Sequence, residues 1–188
     1  MRISHTFYRE LLVDKNLLLK CISDMNNWVA SDKYIESLSF IEKDKYSLRL
    51  SWNKLSSKIR VKITETSLTI EPYDGDYFHM VLWFREKNGG ITEIHVTSEA
   101  ETGFFSRLTG KRKFVSFIES LIDNVLLNCL KRIYLVNPGE KSIWINCDKC
   151  LFYERITRKC YLLGRNVAPS QIPECNGNID GLIRNNQK

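Results

Sequence analysis

The sequence lacks several features that would place it in a specialised class of protein. No apolar run approaches the roughly 20 residues that a membrane span requires, and the start has no apolar signal-peptide segment, so we expect a cytoplasmic protein. Only 4 prolines and 9 glycines interrupt the chain, and no internal repeat is visible. A composition of 43% hydrophobic and 27% charged residues excludes a disordered chain. The 188 residues are therefore expected to form one main globular domain with a small appendage.

A strong excess of charge of one sign is also missing. The chain has 28 Lys and Arg against 22 Asp and Glu. Residues 1–137 hold 20 basic and 17 acidic side chains, and residues 138–188 hold 8 and 5, so the excess is 3 positive charges in each part. Neither part is basic enough to predict a nucleic-acid partner.

Familiar catalytic motifs are absent as well. The sequence has no Gly-x-Ser-x-Gly, no phosphate-binding loop and no His-Glu-x-x-His. His79, His95 and Glu93 share one strand parity and are the evident acid–base candidates. Because solvated histidines on the wet face of a sheet are commoner than catalytic ones, we expect a protein that is not an enzyme.

The hydrophobic pattern predicts an α+β fold. Residues 2–12 are typical of a first strand, and Asp14 is a suitable N-cap for a helix after it. Between residues 34 and 98, apolar and polar residues alternate in about six segments, as in an antiparallel sheet with one wet face. Apolar residues at helical spacing then predict a long amphipathic helix over about residues 111–134. The Pro-Gly turn at 137–140 marks the domain boundary.

This order of elements resembles the helix-grip fold of the START/SRPBCC superfamily, which includes the birch-pollen-allergen-like proteins and polyketide cyclases. The resemblance covers residues 1–137 and rests on element order, since no sequence fingerprint marks the superfamily. More narrowly, the chain is similar to small uncharacterised archaeal members regarded as carriers of hydrophobic ligands. The resemblance implies a curved antiparallel sheet wrapped around the long C-terminal helix, with an apolar cavity between them. It transfers no catalytic residue.

The predicted cavity has candidate lining residues. They are large apolar side chains of the inward strand rows, the long helix and the loop before it: Phe40, Leu50, Trp52, Phe78, Met80, Leu82, Phe84, Phe104, Phe117 and Leu121. These side chains either fill the core completely or surround a cavity of about 300–1,000 Å³. We favour the cavity, and with it a non-catalytic carrier for a long apolar ligand such as a fatty acid or another lipid.

Cations are concentrated before and within the first turn of the long helix. They are Arg107, Lys111, Arg112 and Lys113. Positive charge at a helix N-terminus is disfavoured by about 0.3–1 kcal/mol per residue, so this placement favours contact with an anionic ligand head or a transient contact with a membrane surface. The alternative interpretation is a solvated run of charge.

Four of the six cysteines lie in residues 138–188, namely Cys147, Cys150, Cys160 and Cys175. Their spacing, C-x2-C-x9-C-x14-C, presents two thiolates from one tight turn and two more that would close a tetrahedral site. Metal binding would supply about 10 kcal/mol or more to a tail with little apolar material of its own. We expect zinc. An iron–sulfur cluster and disulfides stay open, because the second pair departs from the C-x-x-C spacing of a regular zinc ribbon.

Two further functions stay open. In one, the cavity is vestigial and the metal-bound tail docks a protein partner. In the other, the protein is a cyclase- or dehydratase-like enzyme acting on a polyketide-type substrate, with His79, His95 and Glu93 as its acid–base groups.

Overall fold

The structure is a computed structural model that describes residues 2–30, 33–101, 110–136, 146–172, 175 and 179–185. Among these residues, no helix is both long enough and apolar enough to cross a membrane.

Seven antiparallel strands form the main sheet, in the order β1-β7-β6-β5-β4-β3-β2. Most of these strands bury alternate side chains, as the period-two pattern predicts, but the edge strand that begins at Ile35 buries only that residue. Gly89 and Gly90 have positive φ angles of 80° and 75°, which a tight hairpin between β6 and β7 requires. The strands are β1 (Arg2–Leu12), β2 (Ile35–Glu42), β3 (Lys45–Leu50), β4 (Ser56–Ile63), β5 (Ser67–Gly75), β6 (Phe78–Lys87) and β7 (Ile91–Glu101).

Three helices cover the buried face of this sheet: α1 (Lys15–Ser23), α2 (Asn26–Val29) and α3 (Gly110–Val136). The Asp14 side chain caps α1 by accepting a hydrogen bond from the backbone N–H of Leu17 at 2.9 Å. The buried stripe of α3 repeats at helical spacing and packs into the same core as the inner face of the sheet. The predicted helix-grip α+β fold is confirmed.

A second, small unit follows. It contains a 3₁₀ turn at Cys147–Lys149, a three-stranded sheet in the order β10-β9-β8, and a short last helix. Its elements are β8 (Tyr153–Glu154), β9 (Lys159–Cys160), β10 (Arg165–Asn166) and α4 (Ile179–Asn185). We call residues 146–185, as far as they are described, the tail. The predicted boundary between domains 1–137 and 138–188 falls next to residues 137–145, which lie outside the described residues, and stays a prediction.

The tail covers part of the free edge of β1. The backbone N–H of Glu10 donates to the Glu154 carboxylate at 2.9 Å, and the backbone N–H of Arg155 donates to the Glu10 carbonyl at 3.0 Å. Buried tail residues also join the hydrophobic cluster of the main domain. An edge strand that would otherwise offer unpaired backbone groups to other chains is thus partly satisfied within the molecule.

Candidate functional site

An open cleft of about 530 Å³ lies between the N-terminal half of α3 and the end of the sheet where β2 begins and β3 ends. Aromatic rings, cations and serine hydroxyls line it. The structure brings together here four residues that the sequence placed in two separate groups. Trp52 and Phe117 were predicted to contact an apolar ligand, and Arg112 and Lys113 were predicted to contact its anionic head.

Three rings, Tyr34, Trp52 and Phe117, form the aromatic floor of the cleft. A 3₁₀ turn after β3 begins at Trp52 and brings its ring to 4.9 Å from that of Phe114 on α3, measured between centroids. Phe117 lies one helical turn further on, 6.4 Å from Trp52, and meets Tyr34 edge-on at 5.7 Å. Tilted and edge-on contacts of this kind are favourable, so the floor is well packed.

Two hydrogen bonds fix the near side of the cleft. The backbone N–H of Ser51 donates to the Tyr34 carbonyl at 2.9 Å, and the Ser51 hydroxyl donates to the Lys33 carbonyl at 3.0 Å. The segment that enters β2 is therefore tied to the turn that leaves β3, and both line the cleft opposite α3.

Three cations, Lys33, Arg112 and Lys113, line the same cleft. The first turn of α3 contains no acidic residue, and none of the described carboxylates forms an ion pair with any of the three. Their charge therefore adds to the positive end of the helix dipole instead of being neutralised. The cleft is a place where an anion would be stabilised.

The described residues leave little enclosed space between the sheet and α3. The described residues enclose there a cavity of about 10 Å³, lined in part by Leu50, Phe78 and Leu121, which has room for about one water molecule. The other predicted lining residues of the central strands, Met80, Leu82 and Phe84, are buried in the core. The ligand-sized interior cavity that the fold resemblance implied is not enclosed by the described residues.

Side chains from the short helices occupy that space. Met25 and Trp28 both line the small interior cavity, and Trp28 is 1% exposed. The Trp28 indole N–H donates to the Ile22 carbonyl at 2.8 Å, which holds the ring inside. The local sequence around Met25 and Trp28 does not indicate how much of the interior they fill.

The prediction that Phe40 faces a ligand cavity is wrong. Its side chain is 64% exposed and contacts Tyr46 edge-on, with ring centroids 5.8 Å apart. Phe40 has the parity of Leu38, which lines the interior cavity, but it lies further along the edge strand β2, where the buried part of the strand has ended.

Three other predicted contact residues do not contribute to the cleft as described. Lys111 is exposed in the first turn of α3 but is not among the residues that line the cleft. Phe104 and Arg107 lie outside the described residues.

The acid–base candidates do not converge. The register of β6 and β7 offsets His79 from His95 by four residues, which is about 13 Å along the strands. The His95 ring stacks on Tyr8 with centroids 4.5 Å apart, and Glu93 forms an ion pair with Lys87 at 2.5 Å. These side chains lie on the outer face of the sheet.

All four cysteines of the tail line one closed cavity of about 10 Å³. No disulfide joins them, and the exposed fractions of Cys147, Cys150, Cys160 and Cys175 are 6, 3, 4 and 2%. The pKa of the Cys150 thiol is raised mainly by a hydrogen bond with Cys175 and, to a smaller extent, by burial. Burial also raises the pKa of Cys160. We call these residues the cysteine cluster.

Local turns aim two of these sulfur atoms at the cavity. In the C-x-x-C turn, the backbone N–H of Cys150 donates to the Cys147 carbonyl at 3.0 Å, and the backbone N–H of Phe152 donates to the Cys150 Sγ at 3.4 Å. A second turn follows Cys160 and ends at Gly164, whose φ of 67° favours glycine and whose N–H donates to the Cys160 carbonyl at 2.8 Å.

A buried ionic network that the sequence patterns did not predict joins the tail to the main domain. Asp123 of α3 accepts hydrogen bonds from Arg9 of β1 at 2.8 Å and from the Tyr161 hydroxyl at 2.8 Å, and it pairs with Lys159 at 2.9 Å. The side chains of Arg9 and Asp123 are 5% and 12% exposed. One carboxylate therefore holds three elements together.

The same network continues along α3. Glu119, one turn before Asp123, lies 3.3 Å from Arg9 and 2.8 Å from His5. Burial lowers the pKa of Arg9, but the hydrogen bond and charge of Asp123 outweigh it, so that pKa is raised. Strand parity is the feature of the sequence that points to this network, since His5 and Arg9 share the inward face of β1 with buried Ile3.

Comparisons with known proteins place the fold. No family model and no curated protein sequence matches the chain. A solved structure from Thermus thermophilus matches with a TM-score of 0.54 at 14% identity, over 73% of this chain and 99% of its own. A START superfamily protein from Mycobacterium smegmatis matches with a TM-score of 0.52 at 11% identity, over 72% and 99%. The chain has the START-type helix-grip fold. A ginseng major latex-like protein from Panax ginseng shares it with a TM-score of 0.50 at 10% identity, over 66% and 95%.

On this helix-grip framework, the described residues offer two sites of opposite character. The cleft is open and presents cations above an aromatic floor. The cysteine cluster is closed, apolar in its surroundings and supplied with thiols. The first can take an exchangeable anionic molecule, and the second has the donor set of a soft metal ion.

Proposed function

We propose that the protein is a non-catalytic carrier that binds an anionic lipid, such as a fatty acid, in the cleft beside α3. The single observation that carries this proposal is the meeting of an aromatic floor and three cations in one cleft of about 530 Å³. That volume lies within the range of about 300–1,000 Å³ that is usual for small-molecule sites. In this arrangement the apolar chain lies on Trp52 and Phe117, and the head lies beside Arg112 and Lys113.

The two halves of the cleft contribute differently to binding. Burial of apolar surface stabilises a complex by about 25 cal/mol per Å², so the chain supplies most of the affinity. An exposed ion pair contributes only about 0.2–1 kcal/mol. The cations therefore select the anionic ligand over a neutral one of equal length, and this selection is the testable signature of the site.

The cleft also provides an exchange route. The interior cavity that the described residues enclose holds about 10 Å³, which favours the open cleft as the place for a lipid chain. A ligand there enters and leaves without unfolding of the core. The same cations would attract anionic headgroups by about 1 kcal/mol per Lys or Arg, which supports transient contact with a membrane surface during transfer.

The polar side chains that line the cleft favour binding without catalysis. Its polar side chains are three cations and the hydroxyls of Ser51, Ser116 and Ser120. General acid–base catalysis needs a group that titrates near the working pH, usually an imidazole or a carboxylate. Among the described lining residues neither is present.

The test is calorimetric titration of the full-length protein with dodecanoate and with dodecanol, two probes that differ in the head alone. We expect dodecanoate to bind more tightly. Arg112→Ala/Lys113→Ala should weaken dodecanoate binding about three- to tenfold, because two exposed ion pairs are lost, and leave dodecanol binding unchanged.

The matched control is Lys111→Ala compared with Lys113→Ala. Both remove one positive charge from the first turn of α3, but only Lys113 lines the cleft. Lys113→Ala should weaken dodecanoate binding and Lys111→Ala should not. Equal affinities of the wild-type protein for the two probes, or equal effects of the two single variants, would refute the proposed head-group contact.

A further inference from the structure

The cysteine cluster lies outside the proposed lipid site, and its geometry indicates a separate chemical role. Four thiols that are separated by up to 28 positions in the sequence border the same cavity. All four are more than nine-tenths buried. The remaining walls of the cavity are mostly apolar and include Leu163 and Val167.

A backbone donor is already aimed at one of the sulfur atoms. The Phe152 N–H donates to the Cys150 Sγ at 3.4 Å. Peptide N–H groups around sulfur orient a thiolate and offset its charge, as outer hydrogen bonds do around metal ligands. A cluster of ordinary core cysteines has no need of such donors.

The size of the cavity distinguishes between the candidate occupants. A volume of about 10 Å³ corresponds to about one water-sized sphere. A single metal ion fits this space, whereas a four-iron cluster is a cube of eight atoms and would require the walls to move apart. In the described structure no sulfur–sulfur bond joins these cysteines.

The four thiols border one cavity, but they do not yet have the geometry of metal ligands. Among the described residues, no group of three or more His, Cys, Asp and Glu side chains is placed to hold a metal ion as it stands. All four side chains already border one cavity. They can therefore close around an ion by side-chain adjustment, without a change in the path of the backbone.

We propose that Cys147, Cys150, Cys160 and Cys175 bind one Zn²⁺ ion as a closed tetrahedral site that holds the tail against β1 and α3. Four thiols release four protons as four sulfur–zinc bonds form, and no oxidant or reductant is involved. Four protein ligands leave no open position, so the site is structural. Thiolate ligands favour zinc among the abundant redox-inactive ions, since Mg²⁺ and Ca²⁺ prefer oxygen.

The first experiment is metal analysis and native mass spectrometry of the full-length protein, purified without added metal and without chelator. The expected result is one zinc ion per chain, released when a mercurial reagent titrates the thiols. Iron with acid-labile sulfide would overturn the proposal in favour of a cluster. A metal-free chain whose mass shows two disulfides, or four free thiols that do not take up added zinc, would overturn it as well.

A variant pair assigns the ligands. Cys160→Ser should lose most of the bound zinc, while Cys21→Ser, which changes a half-buried cysteine of α1 that hydrogen-bonds to the Cys129 carbonyl, should keep one ion per chain. Cobalt reconstitution of the wild-type protein provides a readout that does not depend on how a variant folds. Intense visible bands of tetrahedral thiolate-bound Co²⁺ are expected, and weak octahedral bands would contradict a four-cysteine site.

Discussion

The open cleft beside α3 and the closed cysteine cluster of the tail are the two regions where this chain departs from a plain packed core. The cleft offers about 530 Å³ and cations without described carboxylate partners, while the cysteine cluster encloses about 10 Å³ behind buried thiols. A ligand can enter and leave an open cleft, whereas an ion enclosed by buried side chains can stay bound permanently. Our proposals accordingly place ligand transfer in the first region and structural stabilisation in the second.

The largest expected effect comes from removing metal from the closed region. Treatment with a strong chelator should release zinc and unfold the tail, because structural zinc contributes on the order of 10 kcal/mol to the folding of small metal modules. Hydrogen exchange followed by mass spectrometry should show loss of amide protection in β8 and β9, with β6 and β7 still protected. Tail amides that stay protected after complete zinc release would show that packing alone holds the tail.

The next effect concerns the network between the two units. Asp123→Ala should destabilise the protein by about 3–5 kcal/mol in urea unfolding, because it leaves buried Arg9 without its main partner. Glu101→Ala is the control, since the Arg2–Glu101 pair is more than half exposed on both sides and should contribute at most about 1 kcal/mol. Similar costs for the two variants would contradict the anchoring role of Asp123.

A smaller effect, with a distinctive pH dependence, is expected at Tyr161. Tyr161→Phe should cost about 1.5–3 kcal/mol near neutral pH through loss of the hydrogen bond to Asp123. Burial raises the pKa of Tyr161 well above its ordinary value of about 10. The folded chain then keeps the proton that the unfolded chain loses, so wild-type stability should fall as pH rises above about 10.

The pH profile has its own control. Tyr161→Phe should show a shallower decline above about pH 10 than the wild type, because the titrating group has been removed. Tyr73→Phe, at a ring that is 42% exposed, should decline as the wild type does. Parallel profiles for wild type and Tyr161→Phe would mean that this phenol does not link the tail to the main domain.

The smallest effect on stability should accompany a large effect on binding in the open region. Ser116→Trp places an indole in the cleft, and we expect dodecanoate affinity to fall about tenfold while stability changes by no more than about 0.5 kcal/mol. Lys111→Trp adds the same ring outside the cleft and should preserve binding. A loss of binding in both variants would indicate a general disturbance of α3.

Much of this architecture could be predicted from local pattern. Alternation along the strands and helical spacing in α3 are properties of short segments, so the helix-grip order was accessible from the sequence. The C-x-x-C turn was accessible for the same reason. The meeting of Arg112 and Lys113 with Trp52 and Phe117 in one cleft required the fold, because separate elements supply them.

The features that local sequence patterns do not predict depend on long-range packing. Met25 and Trp28 take up volume in the interior where the cavity was expected, and nothing in their local sequence indicates how deeply they insert. The Arg9–Asp123 pair links residues 114 positions apart, which only the sheet, α3 and the tail together bring into contact. Phe40 shows the converse, since correct strand parity does not ensure burial at the end of an edge strand.

The most direct test of the contrast between the two regions is one native mass spectrum of the full-length chain, mixed with equal amounts of dodecanoate and dodecanol. We predict that every charge state carries one tightly held zinc ion, and that a dodecanoate adduct predominates over dodecanol and disappears with mild activation while zinc stays. A metal-free chain, or equal adducts of the acid and the alcohol, would contradict the assignment of a permanent metal to the tail and an exchangeable anion to the cleft.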